Sequence, residues 1–339
     1  MKANIAIVGE AWGEAEEKAC SPFVGYSGQE LTRMLEDAGI HRADCFLTNV
    51  FNLHPPGNQV EFFCGTKAEG IAGYPPLTKS KYCRTEFIPE LERLGAELAE
   101  VNPNVVIALG NTASWALLGR TAISKYRGTT ELSTHTATGY KVLPTYHPAA
   151  VCRQWELRPT TVMDLIKAAR ESAFPEIRRP AVSVHIPETI SDLEDFYALH
   201  IRGCQSLAVD IETAGVQITC IGFAPSTGDA LVIPIFDRRR KNRSYWPDQH
   251  SEGQAWGFIR KLLMDRAISK TFQNGLYDIA FLWRSYGLKV MNAEHDTMLL
   301  HHALQPESLK GLGYLGSIYT DHGAWKQMRE KVTTIKRDE

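Results

Sequence analysis

The chain has 339 residues, 44% hydrophobic and 22% charged, with a formal net charge of −2. This composition excludes a disordered chain and leaves room for two domains. The charge balance excludes a molecule that is cationic throughout, while a local basic surface for nucleic acid stays open. The opening MKANIAIVGE has too short an apolar run for a signal peptide, and no stretch approaches the ~20 apolar residues of a membrane span. Seven cysteines, an odd number without a CxxC pair, read as the reduced thiols of a cytoplasmic protein with no membrane partner.

Strand-like runs at 4–8 (NIAIV), 45–50 (CFLTNV), 104–110 (NVVIALG) and 141–146 (KVLPTY) alternate with helical patterns. Ser27-Gly28-Gln29-Glu30 reads as a capping box ahead of Leu31, Met34, Leu35 and Ala38. Leu91, Leu94 and Leu98 form a second helical stripe. Such alternation predicts a parallel sheet with helices on both faces and a ligand at the carboxyl ends of its strands. Gly9–Gly13, Asn49 and Tyr146-His147-Pro148 fall there. Residues 174–192 carry three prolines and read as a linker, which sets the expected division at 1–174, a linker at 175–190, and 191–339. Beyond it, strand runs at 206–213, 217–224 and 230–235 precede helical segments near 252–264, 276–286 and 297–304, which predicts a mixed sheet.

Taken together, VGEAWGEAEEKACSPFVG (8–25), FLTNVFNLHPPGN (46–58) and VLPTYHPAAVCR (142–153) resemble the iron–sulfur type of uracil-DNA glycosylase over about residues 4–172. The resemblance implies a three-layer α/β/α domain that flips a nucleotide out of DNA and hydrolyses its N-glycosidic bond. It implies that Phe23 stacks on the base, that Asn49 reads the base edge with donor and acceptor, and that His147 donates to the departing base. Ala11 joins Phe23 and Asn49 in the base-binding group. Glu10, Glu16 or Asn58 would stabilise the sugar cation or position water, and Arg153 would contact DNA. Taken singly, each has a plainer reading: Phe23 as a core ring, His147 as a satisfied histidine, the run of acids as a solvated helix start. The sequence departs from the family at Trp12, where proline stands in the family, and in its cysteines. Cys83 matches one ligand position; four thiolates would need Cys20, Cys45, Cys64 and Cys83 to converge, and no iron–sulfur cluster is expected. The insertion at 59–83 either contacts DNA through Lys67, Lys79 and Lys81 or fills the space of the cluster.

AVDIET places Asp210 and Glu212 two apart, on one face of a strand. TFQNGLYDIAFL adds Asn274 and Asp278 at helical spacing. These stretches resemble the first two motifs of DEDD-type proofreading exonucleases of the polymerase I family, over about 204–322. The resemblance implies a ribonuclease H-like α/β domain with Asp210, Glu212 and Asp278 holding Mg2+ or Mn2+, and Asn274 contacting DNA. The family's last motif, Tyr-x-x-x-Asp, has no match: only Asp338 follows Asp321, with Thr334 four before it. Either the chain is a shortened form of a longer protein or hydrolysis at this site is lost. The cationic run RRRKNR (238–243) reads as a phosphate contact or as a solvated loop.

The expected function is therefore DNA processing: excision of uracil or a modified base, coupled to an exonuclease-like domain that engages a 3′ end. The expected partners are uracil-containing or single-stranded DNA and a DNA polymerase. Two alternatives stand beside it: a non-catalytic DNA-binding or recruitment module of phage-type replication or repair, and a metal-dependent 3′–5′ exonuclease alone.

Overall fold

The computed structural model describes residues 3–322. Two compact units divide the chain: Met1–Arg179 with Gly313–Glu339, and Pro180–Leu312.

The first unit is built on β1 (Ile5–Ala11), β2 (Cys45–Phe51), a small hairpin of β3 (Cys64–Gly65) and β4 (Tyr82–Cys83), β5 (Val105–Leu109), β6 (Glu131–Leu132) and β7 (Lys141–Thr145). Its helices are α1 (Glu14–Ala19), α2 (Tyr26–Asp37), α3 (Ile88–Val101), α4 (Gly110–Leu118), α5 (Pro148–Arg153) and α6 (Arg158–Glu171). The main sheet runs β2-β1-β5-β7-β6, parallel except for β6. Alternation along the central strands makes the layers. Ala6 and Val8 of β1, with Val106 and Ala108 of β5, join a core with α3 and α4. Ile5 and Ile7, with Val105, Ile107 and Leu109, join a second core with α2 and α6. Strands buried on both faces read as unbroken apolar runs, which is why β1 and β5 were legible in the sequence.

The second unit contains β8 (Ser183–His185), α7 (Ile190–Phe196), β9 (Ser206–Ala214), β10 (Gln217–Ala224), β11 (Asp229–Pro234), α8 (Gln249–Met264), β12 (Ser269–Phe272), α9 (Gly275–Tyr286), β13 (Ala293–Asp296) and α10 (Thr297–Leu304). Its sheet runs β13-β12-β9-β10-β11-β8. The β9-β10-β11 meander is antiparallel, while β12 pairs parallel to β9. Leu207, Val209 and Ile211 of β9 alternate into a core with Ile259, Leu262 and Leu263 of α8. The opposite face of β9 therefore carries Asp210 and Glu212.

Three expectations change. The segment 175–190 contributes β8, which pairs parallel to β11, so part of the expected linker belongs to a sheet. The described residues 313–322, expected in the second domain, pack with the first unit through α11 (Leu312–Tyr319). There Ser317 Oγ accepts from Arg127 (2.9 Å), and Tyr314 meets Thr160 at 2.6 Å. Arg127 in turn pairs with the buried Asp164, which also accepts from Thr145 (2.6 Å). Finally, α2 starts at Tyr26 with Gly25 as N-cap, not at a Ser27 capping box. Glu30 turns to Arg158 (2.7 Å) and Arg33 (3.3 Å), because two guanidinium groups hold a carboxylate more strongly than one backbone N–H.

Candidate active site

The strand order reverses direction between β1 and β5, so the carboxyl ends there splay apart and leave a crevice. A hollow of about 640 Å3 opens at this point. Glu10, Ala11, Glu16, Phe23, Asn49, Asn58, His147 and Arg153, spread over 144 positions of sequence, all line it. Trp12 lines it too.

Gly9 and Asn49 are direct partners across β1 and β2. A Cβ on Gly9 would lie 2.2 Å from Asn49 Oδ1 and 2.5 Å from Phe23 Cζ. Only glycine lets the carboxamide and the ring close over that strand end. Phe23 sits at φ 56°, in the left-handed region that phenylalanine rarely adopts. The turn is held from outside: Arg42 donates to the carbonyls of Phe23 (2.9 Å), Pro22 (3.3 Å) and Gly28 (3.2 Å). Gly28 is needed there, since its Cβ would lie 2.0 Å from the Phe23 oxygen. The Phe23 ring is 5% exposed, and its centroid stands 6.3 Å from that of His147.

Asn49 is 2% exposed. Arg93 of α3 fixes its strand end by donating to the carbonyls of Asn49 (2.8 Å) and Val50 (3.1 Å), and Glu90 and Glu97 flank the guanidinium. His147 caps α5: Nδ1 accepts from the Ala149 N–H at 3.2 Å. A proton is thereby assigned to Nε2, leaving that atom as a donor. Burial, with Arg153 adding to it, lowers the His147 pKa to about 4, so the ring is neutral at pH 7.

The two glutamates differ. Glu10 at the end of β1 accepts from Thr112 Oγ1 at 2.5 Å, and burial pushes its pKa up despite that bond and Arg153. Glu16, expected to act on the sugar or on water, accepts from Gly13 N–H (3.2 Å) through one oxygen and Gly25 N–H (2.9 Å) through the other. It braces the Gly13 turn against the Gly25 turn. Asn58 stands exposed at the rim with φ 55°, next to Gly57 at φ 64°. Arg42, Arg93 and Thr112 carry no motif; Thr112 alone had a signal, its place just past the end of β5.

The insertion at 59–83 packs inward. Phe63 is fully buried and stacks on Phe51 at 4.0 Å, with Phe87 edge-on at 5.0 Å. Lys67, Lys79 and Lys81 stay exposed. Cys64 and Cys83 face each other in the β3–β4 hairpin, whereas Cys45 lies in the core on the other side of the main sheet and Cys20 is exposed. Burial raises the Cys83 pKa to about 12 and that of Cys45 to about 11. Thiols placed on opposite sheet faces do not converge as a four-thiolate cluster requires.

In the second unit, Asp210 and Glu212 share the exposed face of β9, and α9 brings Asp278 alongside, its Oδ1 accepting the Ile211 N–H at 3.2 Å. Burial, then Asp278, then Glu212 raise the Asp210 pKa to about 6. Asp278 is raised as well, first by burial. Three oxygen donors under mutual repulsion suit a hard divalent cation. Asn274 precedes α9 at φ 58°, with its N–H on Asp296 Oδ1 (3.1 Å). Asp296 also accepts from Gly275, Met298 and Leu299, so it is spent on backbone. Asp338 lies outside the described residues. Asp237 holds Arg239 through both oxygens, at 2.9 Å each, which ties the start of the cationic loop to itself. No described helix is long and apolar enough to cross a membrane.

Comparison with known proteins gives two family matches: the uracil DNA glycosylase superfamily over residues 1–170, and 3′–5′ exonuclease over 184–330. Type-4 uracil-DNA glycosylase of Thermotoga maritima is 33% identical over 172 residues, 50% of this chain and 77% of that protein. A DNA polymerase of Bacillus phage SP01 is 22% identical over 333 residues, 88% of this chain but only 32% of that polymerase. Among solved structures, Brucella melitensis NrnC with bound Mg2+ matches at 21% identity and a TM-score of 0.29, covering 43% of this chain and 64% of that one. Matched over half its length by the glycosylase model and relatives, the chain belongs to the uracil DNA glycosylase superfamily, with a 3′–5′ exonuclease domain following.

Proposed function

We propose that the first unit excises uracil from DNA by hydrolysing its N-glycosidic bond after base flipping. The observation that carries this reading is the convergence of Phe23, Asn49, His147 and Glu10 on one hollow of about 640 Å3. The Phe23 ring offers a face on which the base stacks. The Asn49 carboxamide, on a strand end whose backbone carbonyl Arg93 holds, offers a donor and an acceptor to the base edge, with Ala11 alongside. As the C1′–N1 bond breaks, its electron pair leaves with the base, and His147 Nε2–H donates to the O2 where that charge gathers. A neutral imidazole suits this task, because it stabilises the anion by a hydrogen bond without needing to be protonated first. The sugar becomes cationic, and the Glu10 carboxylate stabilises it while a water oxygen bonds to C1′ and gives up a proton, which the uracil anion takes up through solvent. We assign Glu16 to holding the two turns, Asn58 to the water side of the rim, and Arg153 to a DNA phosphate.

For the second unit we propose engagement of a single strand or 3′ end. Asp210, Glu212 and Asp278 would hold Mg2+ or Mn2+, which when bound supplies Lewis acidity for phosphodiester hydrolysis. With the family's last carboxylate motif unmatched in the sequence, strand binding is the favoured role over turnover, and Asn274 contacts the strand. The likeness to a phage polymerase supports a replication or repair setting beside a DNA polymerase.

The test is incubation with an oligonucleotide carrying one uracil. Alkali-labile abasic sites are expected with the wild type and a loss of at least 100-fold with Asn49→Ala. Equal inertness of both proteins at high concentration would remove the proposal.

A further inference from the structure

Three side chains of the second unit, none of them in its Asp210 site, meet at the edge of its sheet. We propose that His185, His200 and Asp229 form a binding site for a divalent transition metal, with Zn2+ as the ion that fits. His185 ends β8, the edge strand, and Asp229 opens β11, its neighbour. His200 comes from Tyr197–Ile201, where the helix following α7 widens to π geometry. Such widenings re-aim a side chain and recur at functional sites.

The geometry leaves a gap of ionic size. His185 Nε2 stands 3.8 Å from Asp229 Oδ1, and His200 Nδ1 stands 3.7 Å from Oδ2. One donor atom from each residue lies within 4.8 Å of the other two. Those separations are too long for hydrogen bonds. Bonds of about 2.0–2.1 Å in a tetrahedron put neighbouring ligand atoms about 3.3–3.4 Å apart. The two imidazole–carboxylate spacings exceed that by a few tenths of an ångström, and one donor set spans up to 4.8 Å, so binding draws the three side chains inward around the ion.

The ligands are also supported from behind. The Phe196 ring backs both imidazoles, with its centroid 4.6 Å from His200 and 4.9 Å from His185. Ser226 Oγ donates to Asp229 Oδ2 at 3.2 Å, in the way second ligands orient a carboxylate. Ser183 Oγ touches His185 Nε2 at 3.2 Å, and one hydroxyl rotation frees that nitrogen. Two imidazoles and one carboxylate select zinc over Mg2+, whereas Asp210, Glu212 and Asp278 offer oxygen alone. Three protein ligands leave a fourth position for water, beside a hollow of about 290 Å3 bordered by Asp195 and Leu199. A bound ion would tie the edge strand to β11 and to the end of the helix, and would stabilise the unit by mass action.

The experiment uses the full chain stripped of metal with a chelator. Zn2+ titrated calorimetrically, and Co2+ followed by visible absorption, should report one tetrahedral equivalent that persists in Asp210→Ala. His200→Ala and Asp229→Asn should each weaken that equivalent at least ~10-fold, since even loss of a group that only hydrogen-bonds a ligand costs about 10–100-fold. Zn2+ should raise the melting temperature of the wild type and of Asp210→Ala but not of these two variants. Should His200→Ala fail to fold, His185→Gln, at a more exposed position, gives the same reading. Absence of Zn2+ uptake by the wild type, or undiminished uptake by the folded variants, would overturn the proposal, as would loss of the ion only in Asp210→Ala.

Discussion

Glu10 and Glu16 lie six positions apart, line one hollow, and are set different tasks by their partners. Glu16 accepts two backbone N–H groups that no other described side chain serves. Replacing it with alanine should cost about 2–4 kcal/mol, at roughly 1.5–3 kcal/mol per charge-assisted bond with partial compensation by water. Thermal unfolding checks this. Glu10 is a carboxylate pushed towards its neutral form by burial, so its charge costs stability above its ordinary pKa. Glu10→Gln should leave the melting temperature at pH 7 unchanged or higher while uracil release collapses. Gly9→Ala should act through geometry alone: a methyl 2.2 Å from Asn49 Oδ1 must move the carboxamide, and a shift of about 1 Å can cost ~100-fold in single-turnover rate. His147 fixes a pH signature. Its folded pKa of about 4 lies below the ordinary 6.5, so between those values the unfolded chain takes the proton more readily. Stability is present in full above pH 6.5 and declines as pH falls towards 4, and His147→Gln should flatten that slope. A donor that is already neutral also predicts no rate limb near pH 6.5.

Elements were legible where one period ruled. The double-sided apolar runs of β1 and β5, and the strict alternation of β9 that turns Asp210 and Glu212 outward, are visible in a one-dimensional pattern. The start of α2 was not, because Glu30 is claimed by Arg158, 128 positions away. The insertion was half legible: filling the space of the cluster was one of its two readings, but nothing local showed that Phe63 would stack on Phe51. Phe63→Ala should destabilise the first unit by about 3–5 kcal/mol, the cost of emptying a buried phenylalanine site. Chemical denaturation checks it, and a cost under about 1 kcal/mol would mean the insertion is not core. The site residues at strand ends, Asn49 and His147, could be found from the sheet rule. Their supports, Arg42 and Arg93, could not, since a lone arginine carries no periodicity.

At the scale of the molecule, the two proposed sites occupy two units, and each should survive loss of the other. Asp210→Ala should leave uracil release within about twofold of the wild type, and Asn49→Ala should leave Mn2+ binding intact. The packing of the residues after Gly313 was not visible in a linear reading. Proline-rich composition marked the first boundary near 174–192, but the return of the chain at Gly313 depends on the buried Arg127–Asp164 pair and Ser317, residues up to 190 positions apart. The most direct test of the central claim is a crystal structure with uracil bound. The base should lie flat on Phe23, its edge on the Asn49 carboxamide and its O2 on His147 Nε2. A base bound elsewhere, or a hollow closed by Trp12 with uracil excluded, would contradict the account.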